Sequence, residues 1–224
     1  MANHPEARIV DLSHVIEHGM TTYTDFPGPQ ICDFWQRESS AAHYEDGSTF
    51  QIGRIDMIAN TGTYVDAPFH RYADGADLAD LPLPSLADLP GLVVRRPWEN
   101  GIEVGTDAFD SREVRGMAVL VHTGWDRHWR TERYLAENPF LTDEAASWLV
   151  ENGAAFVGID SLNVDDTRTR SRPVHTKLLA AGIPICEHMT NLGSLPDGGI
   201  RLSAVPPKVR GMGSFPVRAY AVLG

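Results

Sequence analysis

Asn60-Thr61-Gly62-Thr63-Tyr64-Val65-Asp66-Ala67-Pro68-Phe69-His70 is the stretch on which the reading of this chain turns. A carboxylate and an imidazole stand four positions apart, with Gly62 ahead of them and Pro68 between them. That combination breaks regular helix and predicts a shaped loop. Just upstream, Thr49 to Ala59 sets Phe50, Ile52, Ile55, Met57 and Ile58 in near alternation, with one slip at Gly53 and Arg54. Such a pattern predicts a strand, here one that delivers Asp66 and His70 to a cleft.

Outward from this stretch, the second half of the chain reads as alternating helix and strand. Thr142 to Asn152 is a helix: Thr142 caps it, Asp143 and Glu144 suit its N-terminal dipole, Ala145, Trp148 and Leu149 share a face, and Gly153 stops it. Ala154 to Ile159 follows as a buried strand ending in Asp160, at the end where open sheets present functional groups. Pro173 opens a short helix that Gly182 closes, and Ile183 to Cys186 is the next strand, ending in Glu187-His188. Gly91 to Arg95, Met117 to His122 and Pro216 to Leu223 are further apolar strands. Helix followed by strand, repeated, predicts an α/β layer.

His175 and Glu187 are then joined by one helix-turn-strand unit and can converge with Asp66 and His70. Two carboxylates and two imidazoles from separate strand ends are ligand types that hold zinc or manganese and activate water. The bland alternative is that His175 pairs locally and Glu187 sits in a surface ion pair. Tyr23, Phe26, Phe34 and Trp35 give the irregular leading segment aromatic bulk, either anchoring it on the core or walling a pocket for a flat substrate. Arg168, Arg170 and Arg172 read as surface charge rather than as a substrate clamp, and alternation turns His188 away from the side that Glu187 faces.

The 224 residues fit one domain, 1–224, and a net charge of -11 argues against nucleic acid or anionic membrane as partners. No apolar run approaches the roughly 20 residues of a membrane span. The N-terminus lacks the basic head and apolar region of a leader, and Cys32 and Cys186 make no disulfide framework, so a cytoplasmic protein is expected.

Asn60 to His70 resembles the signature of the cyclase-like metal-dependent hydrolases, H-x-G-T-H-x-D-x-P-x-H, the family that includes bacterial kynurenine formamidase and isatin hydrolase. Asp11-Leu12-Ser13-His14, Gly158-Ile159-Asp160, Pro173-Val174-His175 with Glu187, and Phe215-Pro216-Val217-Arg218-Ala219 extend the resemblance over almost the whole chain. It implies a swivelling β/β/α fold, a homodimer or higher homo-oligomer, and metal-activated water attacking the carbonyl of a small cyclic amide, lactone or formamide. It assigns Asp66, His175 and Glu187 to metal-ligand positions and His70 to a proton shuttle.

The chain departs from the signature where two motif histidines are Asn60 and Tyr64, and an amide and a neutral phenol are much poorer zinc ligands than imidazole. Three outcomes follow. A single zinc or manganese on Asp66, His175 and Glu187 keeps a hydrolase, with Tyr64 as oxyanion donor and Asn60 orienting substrate or Asp66. A metal-free pocket of Asp66, His70 and Tyr64 suits an acid-base cyclase, dehydratase or lyase. A chain that kept the fold without turnover is a small-molecule binding protein.

Overall fold

The structure is a computed structural model that describes residues 8–224; residues 1–7, on which the reading of the chain start rests, lie outside the described residues. Thirteen strands occur in the order β1 (Arg8–Asp11), β2 (Gln30–Trp35), β3 (Ile52–Asp56), β4 (Tyr64–Asp66), β5 (Leu89–Arg95), β6 (Glu103–Val104), β7 (Ala118–His122), β8 (Phe140–Leu141), β9 (Phe156–Ile159), β10 (Ile185–Glu187), β11 (Ile200–Ser203), β12 (Ser214–Pro216) and β13 (Tyr220–Leu223). The α-helices are α1 (Arg37–Ser40), α2 (Asp143–Glu151) and α3 (Pro173–Ala180).

Nine strands form one mixed sheet in the order β1-β13-β11-β5-β7-β9-β10-β4-β12. At its centre β5, β7, β9 and β10 run parallel, and the flanking strands pair antiparallel. The parallel strands are buried on both faces, which explains their unbroken apolar runs. In β7, Val119 and Val121 face one cluster with Leu149 of α2 and Leu178 and Leu179 of α3, while Ala118 and Leu120 face a second with Phe156, Leu202 and Ala221. The period of two along each strand thus feeds two cores at once. Thr142 caps α2 as its sequence predicts, its hydroxyl accepting from the Ala145 N–H at 3.2 Å.

The sheet curls until its ends approach. The Leu12 N–H bonds to the Ala219 carbonyl at 2.9 Å, the Val217 N–H to that of Thr63 at 2.9 Å, and Ser13 bridges Met189. This curl corrects the expectation of a single strand over Pro216 to Leu223. The chain instead pairs with β4 as β12, crosses the gap, and pairs with β1 and β11 as β13. Ile200–Ser203 is a further strand, one that its short sequence pattern does not mark.

The strand expected over Thr49 to Ala59 exists as β3, but it does not deliver Asp66. It pairs with β2 in a separate two-stranded ribbon whose residues are all exposed, Phe34 at 63% among them. The strand that carries Asp66 is β4, three residues within the buried sheet. Among the described residues no helix is long and apolar enough to cross a membrane.

Candidate active site

The short strand β4 lies between β10 and β12, and its register sets Tyr64 opposite Glu187 and Asp66 opposite Ser214. Tyr64 and Asp66 are two apart and share a face, so strand pairing gathers these four side chains into one buried patch. Pro68–His70 then forms a single 3-10 turn that brings His70 Nδ1 to 3.5 Å from Asp66 Oδ1. Gly213 makes room for this turn: a Cβ there would fall on the backbone nitrogen and Cα of His70.

Ser214 ties the pair together, donating its hydroxyl to Asp66 Oδ1 and standing 3.0 Å from His70 Nδ1. Its one proton goes to the carboxylate, so its lone pair accepts from His70 Nδ1–H. Among the described residues His70 Nε2 has no partner, and the side chain is half-exposed at the cavity.

His175 sits in the first turn of α3 and is buried. Asp165, which the sequence reading missed, accepts from the Val174 N–H at 2.8 Å, the His175 N–H at 3.1 Å and His175 Nδ1 at 2.7 Å. It both caps the helix and fixes the imidazole tautomer, aiming Nε2 at Asp66 Oδ2, 3.5 Å away, and Glu187 Oε1, 3.6 Å away. Burial alone would lower the His175 pKa, but Glu187, Asp165 and Asp66 outweigh it and push it up to about 10. Asp66 Oδ2 is buried with no hydrogen-bond partner among the described residues. An orphaned carboxylate oxygen facing a tautomer-locked imidazole, with a second carboxylate beside it, fits a divalent cation. Donor atoms of Asp66, His70 and His175 all lie within 4.8 Å of one another, and Glu187 is the further candidate for such a group.

Glu187 is held from several sides. Its Oε1 accepts from the Val164 N–H at 2.7 Å and its Oε2 accepts from the Tyr64 hydroxyl. Burial, together with the nearby Asp66 charge, raises its pKa, while His175 and the donors work against that rise. Tyr64, expected to aim its hydroxyl at a substrate carbonyl, instead spends it on this carboxylate. The same hydroxyl meets Tyr23 at 2.7 Å, and Tyr23 reaches His188 Nε2 at 3.1 Å, whose Nδ1 lies 2.9 Å from the Tyr134 hydroxyl. His188 was expected to face away from this side. It turns inward because β10 ends at Glu187 and His188 takes a left-handed φ of 54°, which breaks the alternation. Burial, reinforced by His14, lowers its pKa to about 3, so it is a neutral link in this network.

A cavity of about 320 Å³ opens above these groups, and Tyr23, Phe26, Asn60, Tyr64, His70 and His175 line it. Trp35 does not. It lies on the exposed ribbon, stacked on His43 at 4.3 Å, because β2 pairs with β3 and not with the main sheet. Arg172, read as surface charge, is half-buried and lines the cavity, as does Arg71. Asp160 does not join the site: it accepts from the Thr123 N–H and hydroxyl and the Gly124 N–H, bracing the turn after β7, and burial raises its pKa to about 7.

Comparison with known proteins places this arrangement. A family model described as putative cyclase matches residues 10–166. A kynurenine formamidase of Geobacillus thermodenitrificans is 33% identical over 213 residues, covering 94% of this chain and 95% of the relative. A kynurenine formamidase of Bacillus cereus is 28% identical over 211 residues, with 94% and 95% covered. Among solved structures, isatin hydrolase A of Labrenzia aggregata superposes with a TM-score of 0.82 at 22% identity, over 97% of this chain and 94% of that one. A potential metal-dependent hydrolase with cyclase activity superposes with a TM-score of 0.77 at 25% identity, over 96% and 98%. With its signature stretch, its curled mixed sheet and these relatives, the chain belongs to the putative cyclase family, the cyclase-like hydrolases that its motif resembles.

Proposed function

We propose that the protein hydrolyses a cyclic amide, lactone or formamide at its carbonyl, at a site that takes one zinc or manganese ion. The observation that carries this reading is the buried, unpartnered Oδ2 of Asp66 facing Nε2 of His175. Relatives named kynurenine formamidase and isatin hydrolase support the class of bond. Asp66, His175 and Glu187 would hold the ion, which when bound supplies Lewis-acid activation of water or of the carbonyl. His70, tethered to Asp66 through Ser214, takes a proton at its free Nε2 from the attacking water and returns it to the leaving nitrogen. Asp165 holds the His175 tautomer, Tyr64 orients Glu187, and Tyr23, Phe26 and Asn60 contact substrate.

The metal-free acid-base alternative asks Tyr64 for a proton; Tyr64 lines the cavity, but its hydroxyl is committed to Glu187 and Tyr23, which favours the hydrolase instead. The homodimer belongs to this reading, supported by the exposed apolar residues of the β2–β3 ribbon, Ile31, Phe34, Ile52 and Ile55. So does a cytoplasmic location, with Cys32 and Cys186 both free thiols.

Elemental analysis of protein purified without chelator, combined with turnover of a panel of cyclic amides, lactones and aryl formamides, tests the proposal. It expects about one ion per chain, lost together with turnover in His175→Ala and Glu187→Gln. Turnover that survives both the substitutions and exhaustive chelation would overturn it. Sedimentation at low and high concentration reads the dimer.

A further inference from the structure

The catalytic wall of the cavity is acidic: Asp66, Asp165 and Glu187 are all fully buried there. The opposite sign stands at its mouth. Arg71 follows His70 directly, and Arg172 precedes His175 by three residues, at the N-terminal boundary of α3, so an arginine flanks each of the two imidazoles. These are the two arginines that line this cavity.

Among the described residues, neither has the carboxylate partner that eight other arginines of this acidic chain have. Arg95, Arg96, Arg127, Arg130, Arg168, Arg201, Arg210 and Arg218 are each paired with a carboxylate. Among the described residues, the Arg71 side chain has no hydrogen bond or ion pair, although the chain carries 30 acidic residues. Arg172 is anchored at one nitrogen alone: Nη1 donates to the carbonyls of Asp166, Thr169 and Ser171 at 3.2, 2.8 and 2.7 Å. Its Nε and Nη2 have no protein partner among the described residues. A guanidinium tethered at one corner has already lost much of its rotamer freedom, and its remaining N–H groups match the oxygens of a planar anion.

We propose that Arg71 and Arg172 form an anion subsite and that the substrate is an amide bearing a carboxylate. The proposal rests on the hydrolase reading for the amide and on the two arginines for the anion. Arg71 and Arg172 hold the carboxylate at the mouth and leave the uncharged amide carbonyl to the base, beside His70 and His175. Phe26 and Tyr23 line the space between and suit an aromatic body. The subsite therefore sets orientation as well as affinity.

The test compares 2-formamidobenzoate with its methyl ester, by turnover and by calorimetric titration, on the metal-replete protein. The acid is expected to lead in kcat/KM by about tenfold to a hundredfold, the fold-change that a hydrogen-bonded charge represents. The gain is expected in KM, and added salt shrinks it. In Arg71→Gln the ratio of acid to ester falls toward one, and Arg71→Lys restores part of it; Arg172→Gln is expected to lower it as well. Equal handling of acid and ester by the parent protein, in both measurements, would overturn the subsite while ester turnover left the hydrolase standing. Preferential binding of the acid, lost in Arg71→Gln and without turnover of either compound, would support the subsite and count against the hydrolase.

Discussion

Tyr64 donates its hydroxyl to Oε2 of Glu187, its register partner across the β4–β10 pair. A hydrogen bond to a buried carboxylate contributes about 1.5–3 kcal/mol, and losing the donor also leaves Tyr23 short of a partner. Tyr64→Phe is therefore expected to destabilise the fold by that order in urea denaturation. The same donor holds the Glu187 pKa down against burial. Without it Glu187 takes up a proton at higher pH, so manganese affinity in Tyr64→Phe should fall off sooner than in the parent as the pH of a calorimetric titration is lowered.

Asp165 acts on a bound ion only through His175, whose Nδ1 it holds at 2.7 Å. Carboxylates behind a ligating histidine typically govern about 10–100-fold in metal affinity. Asp165→Asn should lose metal on that scale in equilibrium dialysis and keep its circular dichroism, since an amide oxygen still caps α3.

Gly213 lies where a side chain would collide with the His70 backbone. The substitution Gly213→Ala is expected to cost about 1–3 kcal/mol as overpacking. It should also lower kcat by at least about tenfold, because the shifted backbone moves the imidazole off its tether to Ser214. Full activity in a folded variant would show that His70 does not depend on this close approach.

His188 supplies a pH dependence with a definite sign. Its pKa falls from an ordinary 6.5 to about 3, chiefly through burial. Between those values the unfolded chain takes up a proton that the folded chain refuses, so this stability is fully present above 6.5 and drains away as pH falls through 3. Asp160 works in the opposite direction: its pKa rises from 3.8 to about 7, so its contribution is present below 3.8 and lost as pH rises through about 7. On acidification from about pH 7.5 to about pH 5, the denaturation midpoint of His188→Gln should therefore shift toward higher stability relative to that of the parent. An unchanged difference would separate His188 from the acid sensitivity.

Local pattern determined a good deal by itself. Thr142 and the acidic turn behind it define the start of α2, and the apolar runs ending at His122 and Ile159 define two buried strands. Asp66 and His70 meet because Pro68 sets a turn that spans their separation of four. Caps, periods and prolines act over a few residues and can be read in order along the chain. The signature also named Tyr64 as a departure, but not what its hydroxyl does.

Tertiary structure alone decided the rest. It moved β3 and Trp35 onto a ribbon away from the site, since alternation marks a strand without saying which strand it pairs with. It brought Ser214 to Asp66 and Asp165 to His175, and no signal in the intervening sequence encodes either bond. It turned His188 inward through one left-handed residue and set Arg172 at the cavity instead of on the open surface. Residue type and spacing dictate which groups are available for chemistry; strand register and the curl of the sheet dictate which of them face one another.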